Sequence, residues 1–368
     1  MMRSRRAAAG TAGALRAPAA LAPAVLAPAV LACALWCLAV AAIAVPAAPA
    51  RSAAAERGAL NAELSGDLAP THDPAIIRAG DTYYVFNTIG RYIGIRTSPD
   101  LRHWTRAGEV FREIPEWARK AVPGTEGIWA PDISFVNGEY RLYYSVSTFG
   151  SNRSAIGLAT NVTLDAASPD YRWQDRGLVV QSTPRDDFNA IEPAFAVDRQ
   201  GRQWLALGSF WSGIKLFALD PDTGKPRAGA KPVAIASRPA PAGAPSAIEA
   251  PFILSHGDWY FLIASYDYCC KGVNSTYYTV VGRARTITGP YRGRDGSDMR
   301  QGGGTVLLRA DLEEKGRFRG PGHAGAFTDR DGTTYLAYHA YDKEAEGAPT
   351  LRIARLRWDA DGWPVAEY

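Results

Sequence analysis

Five short segments of this chain share one plan. They begin at His72-Asp73-Pro74, Ala130-Pro131-Asp132, Ile191-Glu192-Pro193, Ile248-Glu249-Ala250-Pro251 and Gly320-Pro321-Gly322-His323. Each leads into an apolar run, a small turn and a second run rich in aromatic and aliphatic residues. The lead residues Asp73, Asp132, Glu192, Glu249 and His323 stand 59, 60, 57 and 74 positions apart. Repeats of roughly 40–60 residues that hold several short strands mark a β-propeller, one blade per repeat. Chance recurrence of Pro and acids in a Pro-rich chain is the rival account. Four acids and one histidine at one repeat position fit it poorly.

Within the repeats the strand signals are regular. The first reads as strands over 74–77, 83–86 and 92–96; the second as 133–136, 140–144 and 156–159. Asn137-Gly138 between two such runs is a strong hairpin signal. Helical periodicity is weak throughout. The spacing predicts an all-β, five-bladed propeller as a single catalytic domain over residues 71–368. The first strand of each blade lines the central channel in such a fold, so the five lead residues should converge on the axis. Residues 221–245, rich in Pro, Gly and Ala, read as a surface excursion, and 299–319 as an insertion that widens the last interval.

Composition narrows the function. Residues 1–50 carry Arg3, Arg5, Arg6 and Arg16, then an Ala/Leu/Val/Pro stretch, and read as a secretory signal. The apolar piece over 30–45 falls short of the ~20 residues that span a bilayer. Residues 51–70 read as a polar lead-in. The formal net charge is +4, from 41 Lys and Arg against 37 Asp and Glu. The signal holds four Arg and no acid, so the remaining chain balances at 37 against 37. A neutral domain gives no reason to expect nucleic acid or an anionic membrane as partner. A secreted, extracellular monomer is the expectation. Cys33 and Cys37 fall in the signal, leaving only Cys269-Cys270, either free thiols or a vicinal bridge; there is no disulfide framework and no zinc spacing.

Carboxylates gathered on one axis cannot all ionise freely, because like charges push their pKa values apart. Such a set offers an acid and a base at one pH, as glycoside hydrolysis requires. For any single acid, turn capping or a structural cation is the blander account. Aromatic residues beside the acids strengthen the catalytic reading: Trp129 before Asp132, Phe188 before Glu192, and Phe210-Trp211 after the next strand.

These residues carry a resemblance. The motifs His72-Asp73-Pro74, Gly127 to Asp132, Asn189-Ala-Ile-Glu-Pro193, Gly208-Ser-Phe-Trp211, Ile248-Glu-Ala-Pro251, Tyr266 to Thr276 and Gly320-Pro-Gly-His323 resemble glycoside hydrolase family 43, specifically its α-1,5-L-arabinanases. The likeness covers essentially all of the chain after the signal. It implies a five-bladed propeller that cuts arabinan, a pectin side chain, in mid-chain. It also implies inversion of configuration, with Asp73 as general base, Glu249 as general acid and Glu192 as the third carboxylate. Trp129, Phe210 and Trp211 are candidates to stack on a sugar ring, with core packing as the rival account; Asn189 is a candidate substrate contact, and Asp132 orients either its own loop or a substrate hydroxyl. His323 falls where the family holds a metal ion, taken as calcium and held mostly by water, in the channel; the alternative for His323 is a hydrogen-bonding channel residue, and no organic cofactor is implied. One position departs from the pattern: the family places Asp after Asn-Ala-Ile, where this chain has Glu192. The extra methylene shifts the carboxylate by about 1 Å, a displacement that can cost ~100-fold in rate. The rival functions are an exo-acting arabinofuranosidase or β-xylosidase on the same scaffold, and a non-catalytic sugar-binding propeller.

Overall fold

The structure, a computed structural model, describes residues 60–241, 245–310, 312 and 316–368. The proposed signal over 1–50 and the start of the lead-in lie outside the described residues. Five sheets follow one another along the chain, antiparallel but for one short edge strand. Blade 1 holds β1 (Ser65–Gly66), β2 (His72–Ala79), β3 (Thr82–Ile89), β4 (Tyr92–Ser98) and β5 (His103–Glu109). Blade 2 holds β6 (Trp129–Val136), β7 (Glu139–Val146), β8 (Ser154–Asn161) and β9 (Gln174–Ser182). Blade 3 holds β10 (Ala194–Val197), β11 (Gln203–Leu207), β12 (Ile214–Asp220), β13 (Lys225–Pro226) and β14 (Val233–Ala236). Blade 4 holds β15 (Ile248–His256), β16 (Trp259–Tyr266), β17 (Tyr278–Ala284) and β18 (Thr305–Leu308). Blade 5 holds β19 (Phe318–Thr328), β20 (Thr334–Asp342), β21 (Ala348–Trp358) and β22 (Pro364–Glu367). The chain is a five-bladed β-propeller.

Local chemistry explains the hairpins. Asn137 and Gly138 take φ values of 54° and 79°, the left-handed pair that suits the right-handed twist of the flanking strands. The two stretches read as excursions are partly strand. β14 pairs with β12, and β18 with β17, each as the outermost strand of its blade. An outer strand pairs on one side only, so it is short and carries a weak pattern, and the Pro- and Gly-rich flanks hid both.

The apolar residues sit between blades. Five buried clusters join blade 1 to 2, 2 to 3, 3 to 4, 4 to 5 and 5 back to 1. Each sheet is therefore apolar on both faces, which is why β11, Gln203–Leu207, is buried at every residue. A stitch of a different kind joins blades 4 and 5: the Arg283 guanidinium lies 4.4 Å from the ring centres of both Trp259 and Trp363.

Residues 60–70 close the ring. They form α1 (Leu60–Glu63) and β1, which runs parallel to β5 in blade 1. Leu60, Leu64 and Leu68 pack on the cluster between blades 5 and 1. Asn61 is buried; its amide donates to the Tyr338 hydroxyl at 3.1 Å and its oxygen accepts the Ile353 N–H at 2.8 Å. Thr71 N–H donates to Pro349 O, and Leu351 N–H to Leu68 O, both at 2.9 Å. This part of the lead-in clasps the first blade to the last.

Candidate active site

Each blade enters the axis through a residue of left-handed backbone: Asp73, Ala130, Glu192, Ala250 and His323, with φ between 43° and 60°. Four of the five stand directly before a proline. Such a backbone costs a non-glycine residue about 1–3 kcal/mol, and it persists only where the surroundings over-determine it. Here they do, with hydrogen bonds between blades. The Thr88 hydroxyl accepts Ala130 N–H at 2.8 Å, Ser145 accepts Glu192 N–H at 2.9 Å, and Ser265 accepts His323 N–H at 2.9 Å. The kinks coincide with register shifts in β2, β6, β15 and β19.

These kinks gather the charged side chains. His323 Nδ1 lies 3.0 Å from Asp73 Oδ1 and 2.8 Å from Glu192 Oε2. Thr88 donates to the other Asp73 oxygen at 2.7 Å, and Ser209 donates to Glu249 Oε2 at 2.7 Å. Burial alone would raise the Asp73 carboxyl, but the His323 imidazole outweighs it and holds Asp73 well below the usual carboxylate range. Burial would discharge His323, yet Glu192 and Asp73 keep it a cation well above its ordinary value. Glu192 shares that cation but ends up raised, by burial first and by the Asp73 charge. Glu249 is pushed up to about 7, by burial and then by the charge of Glu192, against hydrogen bonds from Ser209 and Tyr277. The site thus holds an ionised carboxylate and a protonated one together near neutrality.

Above them lies a cavity of about 790 Å³. Of the residues singled out from sequence, Asp73, Trp129, Asn189, Glu192, Phe210, Trp211 and Glu249 line it. Asn189 is buried, and its Oδ1 has no hydrogen-bond partner. His323 lies between Asp73 and Glu192. Asp132 does not line the cavity and corrects the substrate-contact expectation. It is buried, its Oδ2 accepts Phe195 N–H at 2.7 Å, and it ties β6 to β10. The reason is register: the kinked residue of that blade is Ala130, so Asp132 falls two places beyond the axis. Phe188 likewise packs into the cluster between blades 2 and 3.

Sequence reading missed several cavity residues. Phe149, 89% exposed, projects from the loop after β7. Cys269 and Cys270 form a vicinal disulfide in the cavity wall, settling the alternative left open above. Cys270 N–H donates to the Tyr341 hydroxyl at 2.8 Å. Tyr277 and His339 were missed too. The place of His339 was legible, since Thr88, Ser145, Ser265 and His339 stand at equivalent places in the second strand of their hairpins, but its role there was not.

The calcium expected at His323 can be tested against these residues. Calcium takes 6–8 oxygen ligands. His323 has Nδ1 turned to two carboxylates, leaving at most one nitrogen. Among the described residues the side chains close enough to hold an ion are His72, Asp73 and His339. Two imidazoles and one carboxylate suit a softer metal than calcium. His339 Nδ1 already accepts Asp73 N–H at 3.2 Å. These residues do not form a calcium cage, and no step below is routed through a metal.

A propeller that brings an ionised and a protonated carboxyl together beneath an aromatic-lined cleft has the equipment of a glycoside hydrolase. Residues 68–364 match the model of glycosyl hydrolases family 43, and the chain belongs to that family. It is 45% identical over 305 residues to an extracellular exo-α-(1→5)-L-arabinofuranosidase of Cellvibrio japonicus, covering 80% of this chain and 86% of that protein. It is 42% identical over 297 residues to an extracellular endo-α-(1→5)-L-arabinanase of Bacillus subtilis, again covering 80% and 86%. Among solved structures it resembles a Cellvibrio cellulosa α-L-arabinanase in complex with arabinohexaose, with a TM-score of 0.77 and 44% identity over 81% of this chain and 96% of that one.

Proposed function

We propose that this chain hydrolyses α-1,5-L-arabinofuranosidic bonds within arabinan, with inversion. The observation that carries the reading is the split protonation of the site: Asp73 held ionised while Glu249 is pushed up to about 7. Protonated Glu249 gives its proton to the leaving glycosidic oxygen. Asp73 takes a proton from the water that attacks the anomeric carbon from the opposite face, and product leaves with inverted configuration. Glu192 reacts with neither atom. Its charge holds His323 as a cation and keeps the proton on Glu249. Trp129, Phe210 and Trp211 supply faces for pentose rings, and Asn189 Oδ1 is an acceptor ready for a sugar hydroxyl. A calcium ion beside His323 would rely on water for most of its ligands. Secretion through residues 1–50 fits relatives that are named extracellular.

Debranched arabinan tests the reading. Short oligomers as first products mean cleavage in mid-chain. Arabinose alone means exo action, the reading that the Cellvibrio japonicus relative favours. Binding without release means a sugar-binding propeller. Glu249→Gln is expected to lose on the order of 10²–10⁴-fold in turnover while still binding oligosaccharide; a variant keeping most activity removes Glu249 from the acid role.

A further inference from the structure

Three blades secure their entrance with a hydroxyl of the preceding blade, as Thr88, Ser145 and Ser265 do for Ala130, Glu192 and His323. In the fourth, Ser209 turns its hydroxyl to the Glu249 carboxylate. The fifth departs in kind. The residue that holds Asp73 is His339 on β20, whose Nδ1 accepts Asp73 N–H at 3.2 Å. Strand register shows that the places correspond: Thr88, Ser145, Ser265 and His339 stand opposite His72, Trp129, Glu249 and Gly322. Each of those four immediately precedes a left-handed residue.

The change of side chain alters the chemistry offered to Asp73. A hydroxyl accepts and donates at once; Thr88 accepts from Ala130 and donates to Asp73 Oδ2 at 2.7 Å. An imidazole nitrogen does one or the other. With Nδ1 accepting, the ring proton sits on Nε2, facing the Tyr341 hydroxyl at 3.5 Å. His339 therefore turns a lone pair, and no proton, toward Asp73, whose Oδ1 is 3.8 Å from Nδ1. Asp73 already accepts from Thr88 and lies beside His323; a further donor would stabilise its anion and weaken it as a base. The ring is fixed in place, stacked on His72 at 4.6 Å and on Tyr277 at 6.0 Å between centres, and only 1% exposed.

We propose that His339 is a positioning residue for Asp73, holding the base's backbone kinked through its Nδ1 lone pair so that the carboxylate keeps its aim on the attacking water. The inference rests on the reading of Asp73 as the base. Three substitutions test it, assayed on debranched arabino-oligosaccharide alongside Asp73→Ala. His339→Asn places an amide oxygen where Nδ1 was, His339→Gln places its amide near Nε2, and His339→Leu fills the space without an acceptor. Leu and Gln are expected to lose ~30–100-fold in kcat, with KM within about threefold, because an aim displaced by about 1 Å costs on that scale. Asn is expected to keep at least roughly a third of kcat, by the same argument. Packing alone would favour Gln, which is nearer to histidine in volume, over Asn, the reverse of the order expected here. The inference is overturned if His339→Leu folds and keeps its kcat, or if Asn and Gln behave alike. Should Leu fail to fold, the Asn and Gln comparison decides. If Asp73→Ala turns over normally, the base reading itself falls; if it is inert while His339→Leu is active, only the present inference falls.

Discussion

Replacing Glu192 with Gln removes one charge from the axis while keeping the side chain's size, and its effect should be read on Glu249 rather than on position 192. The Glu249 carboxyl rises from 4.5 to about 7. That change corresponds to a few kcal/mol, at ~1.36 kcal/mol per pH unit. Burial is the larger cause and the Glu192 charge the second, with Ser209 and Tyr277 pulling the other way. Glu192 is thus the smaller of the two upward causes. The acid works only while protonated, so kcat/KM falls as pH rises through its pKa. Glu192→Gln lowers that pKa, so the basic limb of the profile moves down from near 7. A downward move of about one pH unit gives about a fivefold loss at pH 7 and little at pH 5, relative to wild type at each pH. The assay is initial-rate release of reducing ends from arabino-oligosaccharide across pH 4 to 9. A basic limb that stays put or moves upward would refute the idea that Glu192 holds the proton on Glu249.

Two more perturbations follow from the clasp and the cavity wall. Asn61→Ala strips a buried acceptor from Ile353 N–H and a donor from the Tyr338 hydroxyl. It is expected to cost about 2–3 kcal/mol, seen as a fall of several degrees in Tm by calorimetry with kcat unchanged in the folded enzyme; an unshifted Tm would show that the ring closes without it. The double variant Cys269→Ala, Cys270→Ala loosens a cavity-wall loop otherwise tied through Cys270 N–H to Tyr341. Its KM for long oligosaccharide should rise about fivefold, roughly 1 kcal/mol, with kcat little changed; equal KM values would place that wall outside the bound chain.

The blades were legible because each repeats the same hairpin, and because sheets packed on both faces write continuous apolar runs. The outer strands β14 and β18 were not, since an edge strand needs only one partner and Pro and Gly surround it. At the axis the acids were legible and their register was not. Aligning acid with acid put Asp132 beside Asp73, whereas the repeated physical unit is the left-handed residue, before proline in four blades. That unit equates Asp73 with Ala130, Glu192, Ala250 and His323. Glu192 departs from the family pattern by one methylene, yet its Oε2 still comes within 2.8 Å of His323 Nδ1. The role of His339, unlike its place in the repeat, was hidden for another reason: nothing in the sequence distinguishes a lone pair offered to a backbone N–H from an ordinary core histidine.

The leucines at 60, 64 and 68 and the amide of Asn61 are among the earliest parts of this propeller to be made, and their partners in blade 5 are among the last. Although the leucines also meet Leu101 and Trp104 of blade 1 in the same cluster, no local encounter can satisfy Asn61, which is separated from Ile353 by 292 positions. The loop that joins them is nearly the whole protein, and contacts of that span form slowly. The Asn61 amide therefore finds its partners only once blade 5 has been made, so the ring closes last.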